Sequence, residues 1–189
     1  MRTTLQLFIA LFLLAKPMEV LAQPSAGGIV YGPKGAFNIS APKGWSLDPT
    51  AGAEQGLPCV LYPAGATWDN ADPLMYAKIA STEFEDHEAF AKFAIKDMEE
   101  KRPGIKPKRI ASGKTAGGEP YFINEYPPTK VYKRFERAAY VQLPKAVAYI
   151  VFSADDESAF RKHQGALEEA VKSLRSMNVD YPGKPKQPE

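Results

Sequence analysis

Residues 135–153 read FERAAYVQL, then PK, then AVAYIVFS. Phe135 to Leu143 and Ala146 to Ser153 are rich in β-branched and aromatic residues, and Pro144-Lys145 between them is turn chemistry. They read as two paired strands. The second is nearly all apolar, as a strand covered on both faces must be. Such a strand sits in the middle of a sheet, so the sequence around it should supply further strands and the helices that cover them.

Upstream, Ile105 to Thr115 and Glu119 to Tyr126 flank Gly117-Gly118, a tight hairpin signal, and Pro127-Pro128 ends the second run. Leu57 to Tyr62 and Leu74 to Ala80 are apolar runs joined by a connection rich in Gly, Ala, Asp and Pro. Earlier still, Phe37, Ile39 and Ala41 alternate with polar residues, Pro42-Lys43-Gly44 is a turn, and Trp45 and Leu47 alternate again. These two short strands are expected to form a hairpin.

Two segments change to helical spacing. Phe90, Phe93, Ala94 and Met98 share a face between the potential cap Asp86 and the stop Pro103-Gly104. Phe160, Leu167, Val171 and Leu174 mark one face of a second helix running from Asp155 to near Met177. The expected class is therefore α+β, an antiparallel sheet flanked by helices, in one domain over residues 23–180.

The ends read differently. Arg2, the apolar run Leu5 to Ala15 and the small residues around Ala22 read as a secretory signal peptide over residues 1–22, too short and interrupted to cross a bilayer comfortably, with an uncleaved anchor as the alternative. No cysteine stands near the expected cut, so the mature chain should begin at Gln23 without a lipid, and no transmembrane segment should remain. Residues 181–189, with three prolines and no apolar periodicity, read as a disordered tail. The expected location is periplasmic or secreted. Cys59 is the only cysteine, which leaves no intrachain disulfide, and stability must come from the core.

The 24 Lys and Arg against 22 Asp and Glu become 22 against 21 once residues 1–22 are removed. Near-neutrality argues against a dedicated nucleic-acid binder. The distribution is uneven: nine acids and three bases lie between Asp69 and Glu100, ten bases and three acids between Lys101 and Arg137.

The string Phe37-x-Ile39-x-x-Pro42-x-Gly44-Trp45 resembles the opening of the PsbP-like superfamily. The passage from the apolar strand Ala146 to Ser153, through Ala154-Asp155-Asp156, into a helix carrying Phe160 and Leu174 resembles its ending. The resemblance implies an α/β/α sandwich and a functional style of binding modules; it implies no shared catalytic motif.

Each reactive residue type has a structural role at hand. Cys59 would need His87 or His163 within reach to act as a nucleophile, and its apolar run suits packing. The acids around His87, and the triplet Asp155-Asp156-Glu157, suit helix starts at least as well as a cation. Neither Gly27-Gly28 nor Gly117-Gly118 fits a phosphate loop. No catalytic set, metal site or cofactor is expected.

Binding is the better prospect. Tyr121 to Arg137 interleaves aromatic and basic residues, and Trp68 stands in a polar loop where a large aromatic suits an interface. The candidate binding residues are Trp68, Tyr126, Lys133 and Arg134. The expectation is a non-enzymatic binding or accessory protein whose partner is an envelope protein or an anionic envelope component. The alternative is a small-ligand or metal carrier with a pocket between sheet and helix; a hydrolase using Cys59 or a carboxylate pair ranks third.

Overall fold

The computed structural model describes residues 27–178, so the expected signal over 1–22 and the tail over 181–189 lie outside the described residues. The central element is a seven-stranded sheet in the order β3 (Trp45–Asp48), β4 (Val60–Pro63), β5 (Leu74–Ile79), β9 (Val147–Ala154), β8 (Phe135–Gln142), β7 (Pro120–Tyr126) and β6 (Lys108–Lys114). The apolar strand β9 lies in its middle, between β5 and β8. A smaller sheet joins β1 (Gly27–Gly32), β2 (Gly35–Ser40) and β10 (Arg175–Met177), and every pairing in both sheets is antiparallel.

Helix α1 (His87–Lys101) covers one face of the large sheet. The Asp86 carboxylate accepts from the Ala89 N–H at 2.7 Å and caps its start. The other face carries α2 (Glu157–His163), α3 (Gly165–Ser173) and the small sheet. Phe37, Ile39, Met75, Ile150, Phe152, Leu167 and Leu174 meet there in the main core. The result is the α+β antiparallel architecture with helices on both sides of the sheet.

Two expectations are corrected. The strands around Pro42-Lys43-Gly44 form a corner and not a hairpin: β2 pairs with β1 and β10, whereas β3 pairs with β4. Gly44, at φ +76°, closes the turn, and the Trp45 N–H donates to the Pro42 carbonyl at 3.0 Å. The corner lets Phe37 and Ile39 approach one core from the small sheet while Trp45 approaches it from the large one.

The Gly-rich start is itself strand β1, and its glycines permit close approach between sheets. A Cβ on Gly32 would lie 2.5 Å from Ile79 Cβ, and one on Gly28 2.5 Å from Leu47 Cδ2. The single helix expected from Asp155 to near Met177 is broken at Gln164-Gly165 into α2 and α3, and the chain leaves α3 at the extended Leu174 to form β10.

Candidate functional site

Strand alternation divides side chains between the two faces of the large sheet. On β8, Ala139 and Val141 enter the main core, while Glu136, Ala138 and Tyr140 face α1. On β9, Ile150 and Phe152 enter the core, while Tyr149 and Val151 face α1. Tyr126 on β7 and Tyr76 on β5 join the α1 side. Register then sets Tyr126 opposite Glu136, Tyr140 opposite both Phe122 and Tyr149, and Tyr76 opposite Val151.

Seven strands span roughly 30 Å, whereas one helix with its side chains covers about 10 Å. Helix α1 therefore leaves part of this face uncovered. The opening is a cleft of about 310 Å³, bounded on the helix side by Phe90, Ala94 and Met98 and on the sheet side by Tyr76, Tyr140 and Tyr149. Ala94 contributes only a methyl group, which keeps the space open.

A polar hub closes one end. Arg102, which follows α1, forms an ion pair with Glu136 and lies 3.4 Å from the centre of the Tyr132 ring. The Tyr132 hydroxyl donates to Glu136 Oε1 at 2.6 Å, and the hydroxyls of Tyr126 and Tyr140 meet at 2.5 Å. Burial raises the phenol pKa values of Tyr76, Tyr126, Tyr140 and Tyr149, and takes that of Tyr132 to about 12; the Glu136 carboxylate adds to the rise at Tyr76 and Tyr132. All five phenols are neutral near pH 7. Neutral phenols offer ring faces and hydrogen bonds but are poor bases and nucleophiles, so this chemistry suits recognition.

Of the four binding candidates read from sequence, Tyr126 alone lines the cleft. Trp68 is folded inward at 9% exposure, and Lys133 is exposed. Arg134 donates to Ser153 Oγ at 2.8 Å and lies 3.2 Å from the Asp155 carboxylate. Asp72, in the loop that follows Trp68, is 3.9 Å from Arg134 and accepts the N–H groups of Asp155 and Asp156, so this corner ties three segments together. Sequence reading passed over Tyr76, Arg102, Glu136, Tyr140 and Tyr149. Their signal was parity: Glu136, Ala138 and Tyr140 recur at every second position, opposite in phase to the core set.

The other candidates are engaged in structure. Cys59 is 1% exposed, and burial, aided by the charge of Asp48, pushes its thiol up to about 12. His163 packs edge-on against Trp45, with ring centres 5.9 Å apart, and His87 lies against Phe122 at 5.0 Å. Burial lowers both histidine pKa values. Glu88 holds Arg109 through two hydrogen bonds of 2.8 and 2.7 Å, Asp156 caps α2 through the Ala159 N–H, and Glu157 pairs with Arg161. Among the described residues, no three His, Cys, Asp or Glu side chains are grouped as a metal site, and no helix is long and apolar enough to cross a membrane.

No family model and no curated protein matches the chain. Solved structures do. The solution structure of cyanobacterial PsbP (CyanoP) from Synechocystis sp. PCC 6803 aligns with TM-score 0.51 and 14% identity over 86% of this chain and 99% of that one. The crystal structure of LpqN, involved in cell envelope biogenesis of Mycobacterium tuberculosis, aligns with TM-score 0.53 and 15% identity over 81% and 91%. At these identities the likeness is one of fold, and the fold is PsbP-like.

Proposed function

We propose that this chain is an exported, non-enzymatic binding or accessory protein of the bacterial envelope, and that its ligand site is the cleft between α1 and the large sheet. The cleft carries the reading: about 310 Å³ of concave space lined by ring faces, with a hydroxyl cluster and one ion pair at its end. That volume is at the small end of the roughly 300–1,000 Å³ typical of ligand pockets. The export signal read from residues 1–22 and the role of the similar protein LpqN in cell envelope biogenesis favour the location.

Untagged protein purified from its own host without chelators should carry an added mass in native mass spectrometry. Ala94→Leu, which fills the cleft, should remove that mass while the protein stays folded by circular dichroism. A clean unliganded mass for the unaltered protein, with a normal spectrum, sinks this reading.

A protein partner at a second surface has one specific observation in its favour. Val131 is 67% exposed between the exposed Lys130 and Lys133, an apolar point in a basic loop. In-cell crosslinking with Lys130→Glu plus Lys133→Glu should lose an anionic envelope partner and spare Tm. Unchanged crosslinks remove this second surface from consideration. Arg134 is left intact because its bonds to Ser153 and Asp155 are structural.

A further inference from the structure

We infer that the cleft under α1 takes a small organic cation with an alkylated ammonium head, held on aromatic faces and drawn in by excess carboxylate. The inference rests on the cleft being the ligand site and adds the class of ligand.

Three observations converge on it. The first is ring arrangement. Tyr76 meets Tyr149 at 84° and Phe90 meets Tyr140 at 71°, while Phe90 also contacts Tyr149 at 5.2 Å and 45°. Rings set nearly at right angles make corners, and a corner presents more than one aromatic wall to a rounded head group. A flat ligand would be better served by parallel rings. Alkylated ammonium groups are attracted to such walls because the ring quadrupole is negative on its face and the methyl groups carry the diffuse positive charge.

The second is charge. The lining contains two carboxylates, Asp97 and Glu136, against one guanidinium, Arg102. Arg102 is already committed to Glu136 and to the face of Tyr132, so it offers little to an anion. Asp97 stands at the exposed side of α1, held by Lys101 at 2.7 Å in a solvent-exposed pair that an incoming cation can displace.

The third is the state of the phenols. Burial keeps Tyr76, Tyr140 and Tyr149 neutral, so the walls act through ring faces without phenolate charge. A bare metal ion would require several convergent anionic oxygens. An alkylated ammonium requires aromatic faces and a nearby negative field, which is what the lining supplies.

The test compares choline with its uncharged carbon isostere, 3,3-dimethylbutan-1-ol, and with tetramethylammonium chloride, titrated into the untagged chain and read by calorimetry and proton NMR. The expected result is saturable choline and tetramethylammonium binding, with the methyl protons shifted upfield by the rings and the isostere weaker by about tenfold. Tyr76→Leu and Asp97→Asn should each weaken choline several-fold, the second mainly at low salt, without loss of folded signal. Equal or tighter binding of the neutral isostere overturns the cation inference and leaves the cleft as the ligand site. No binding of either cation also overturns it, whatever native mass shows; the cleft itself is judged separately by whether the Ala94→Leu variant loses the native mass.

Discussion

Glu119 is buried at the turn between β6 and β7, where its carboxylate accepts from Thr115 Oγ1 and, at 2.8 Å, from the Ser176 backbone N–H. Burial alone would raise its pKa, but the hydrogen bonds from Ser176 and Thr115 outweigh it and the net shift is downward from 4.5. A depressed carboxylate stabilises the fold above its unfolded pKa, and this stabilisation is lost as pH falls from about 4.5 through the folded value. Glu119→Gln should therefore cost about 1–3 kcal/mol at neutral pH in urea titration and flatten the acid limb of stability against pH. An unchanged acid limb would assign that limb to other carboxylates. Gly117 serves the same arrangement, because a Cβ there would lie 2.3 Å from Glu119 Oε2. The sequence marks Gly117-Gly118 as a turn but gives no sign that an acid beside it is buried, since that depends on a strand more than 50 positions away.

Among the elements, α1 was legible almost to the residue, because cap, apolar spacing and stop are all local signals. The strands β6 to β9 were legible for the same reason. Strand β1 has no clear signal in the sequence because glycine offers no side chain to pattern, whereas Gly28 and Gly32 make room here for another layer of the fold. Gly32→Ala should lower stability by about 1–3 kcal/mol, since the new methyl meets the fixed Cβ of Ile79 at 2.5 Å. Gly35→Ala is the control, with its nearest neighbour at 3.6 Å. Equal thermal stability of the two variants would mean that the layers adjust freely. The division of α2 from α3 was also hidden, because Phe160 and Leu167 both reach the core and their spacing of seven reads straight across the break.

At the scale of the molecule, the antiparallel sheet between helices was legible from the run of strands and the two amphipathic segments. The cleft was not, because it arises from a mismatch in width between one helix and seven strands, and from side chains on four strands brought together by register. The small sheet also depended on distant chain. Asn38 on β2 faces Ile29 on β1 and Arg175 on β10, so the first and last described strands share one neighbour. A chain ending at Leu174 should lose β10 and the Ser176 contact to Glu119 together; its urea transition should broaden and its midpoint fall. A sharp transition at the unaltered midpoint would show that closure of the small sheet contributes little.

That shared neighbour has a kinetic side. The Ser40 N–H reaches Ser173 Oγ across 133 positions of sequence, a loop whose closure entropy must be met before the contact forms. Folding with so many distant pairings is slow for the chain length. A chain emerging in order, from a ribosome or through a membrane pore, cannot complete its first sheet until its last strand is free. The small sheet therefore closes only on release, after every strand of the large one is already free.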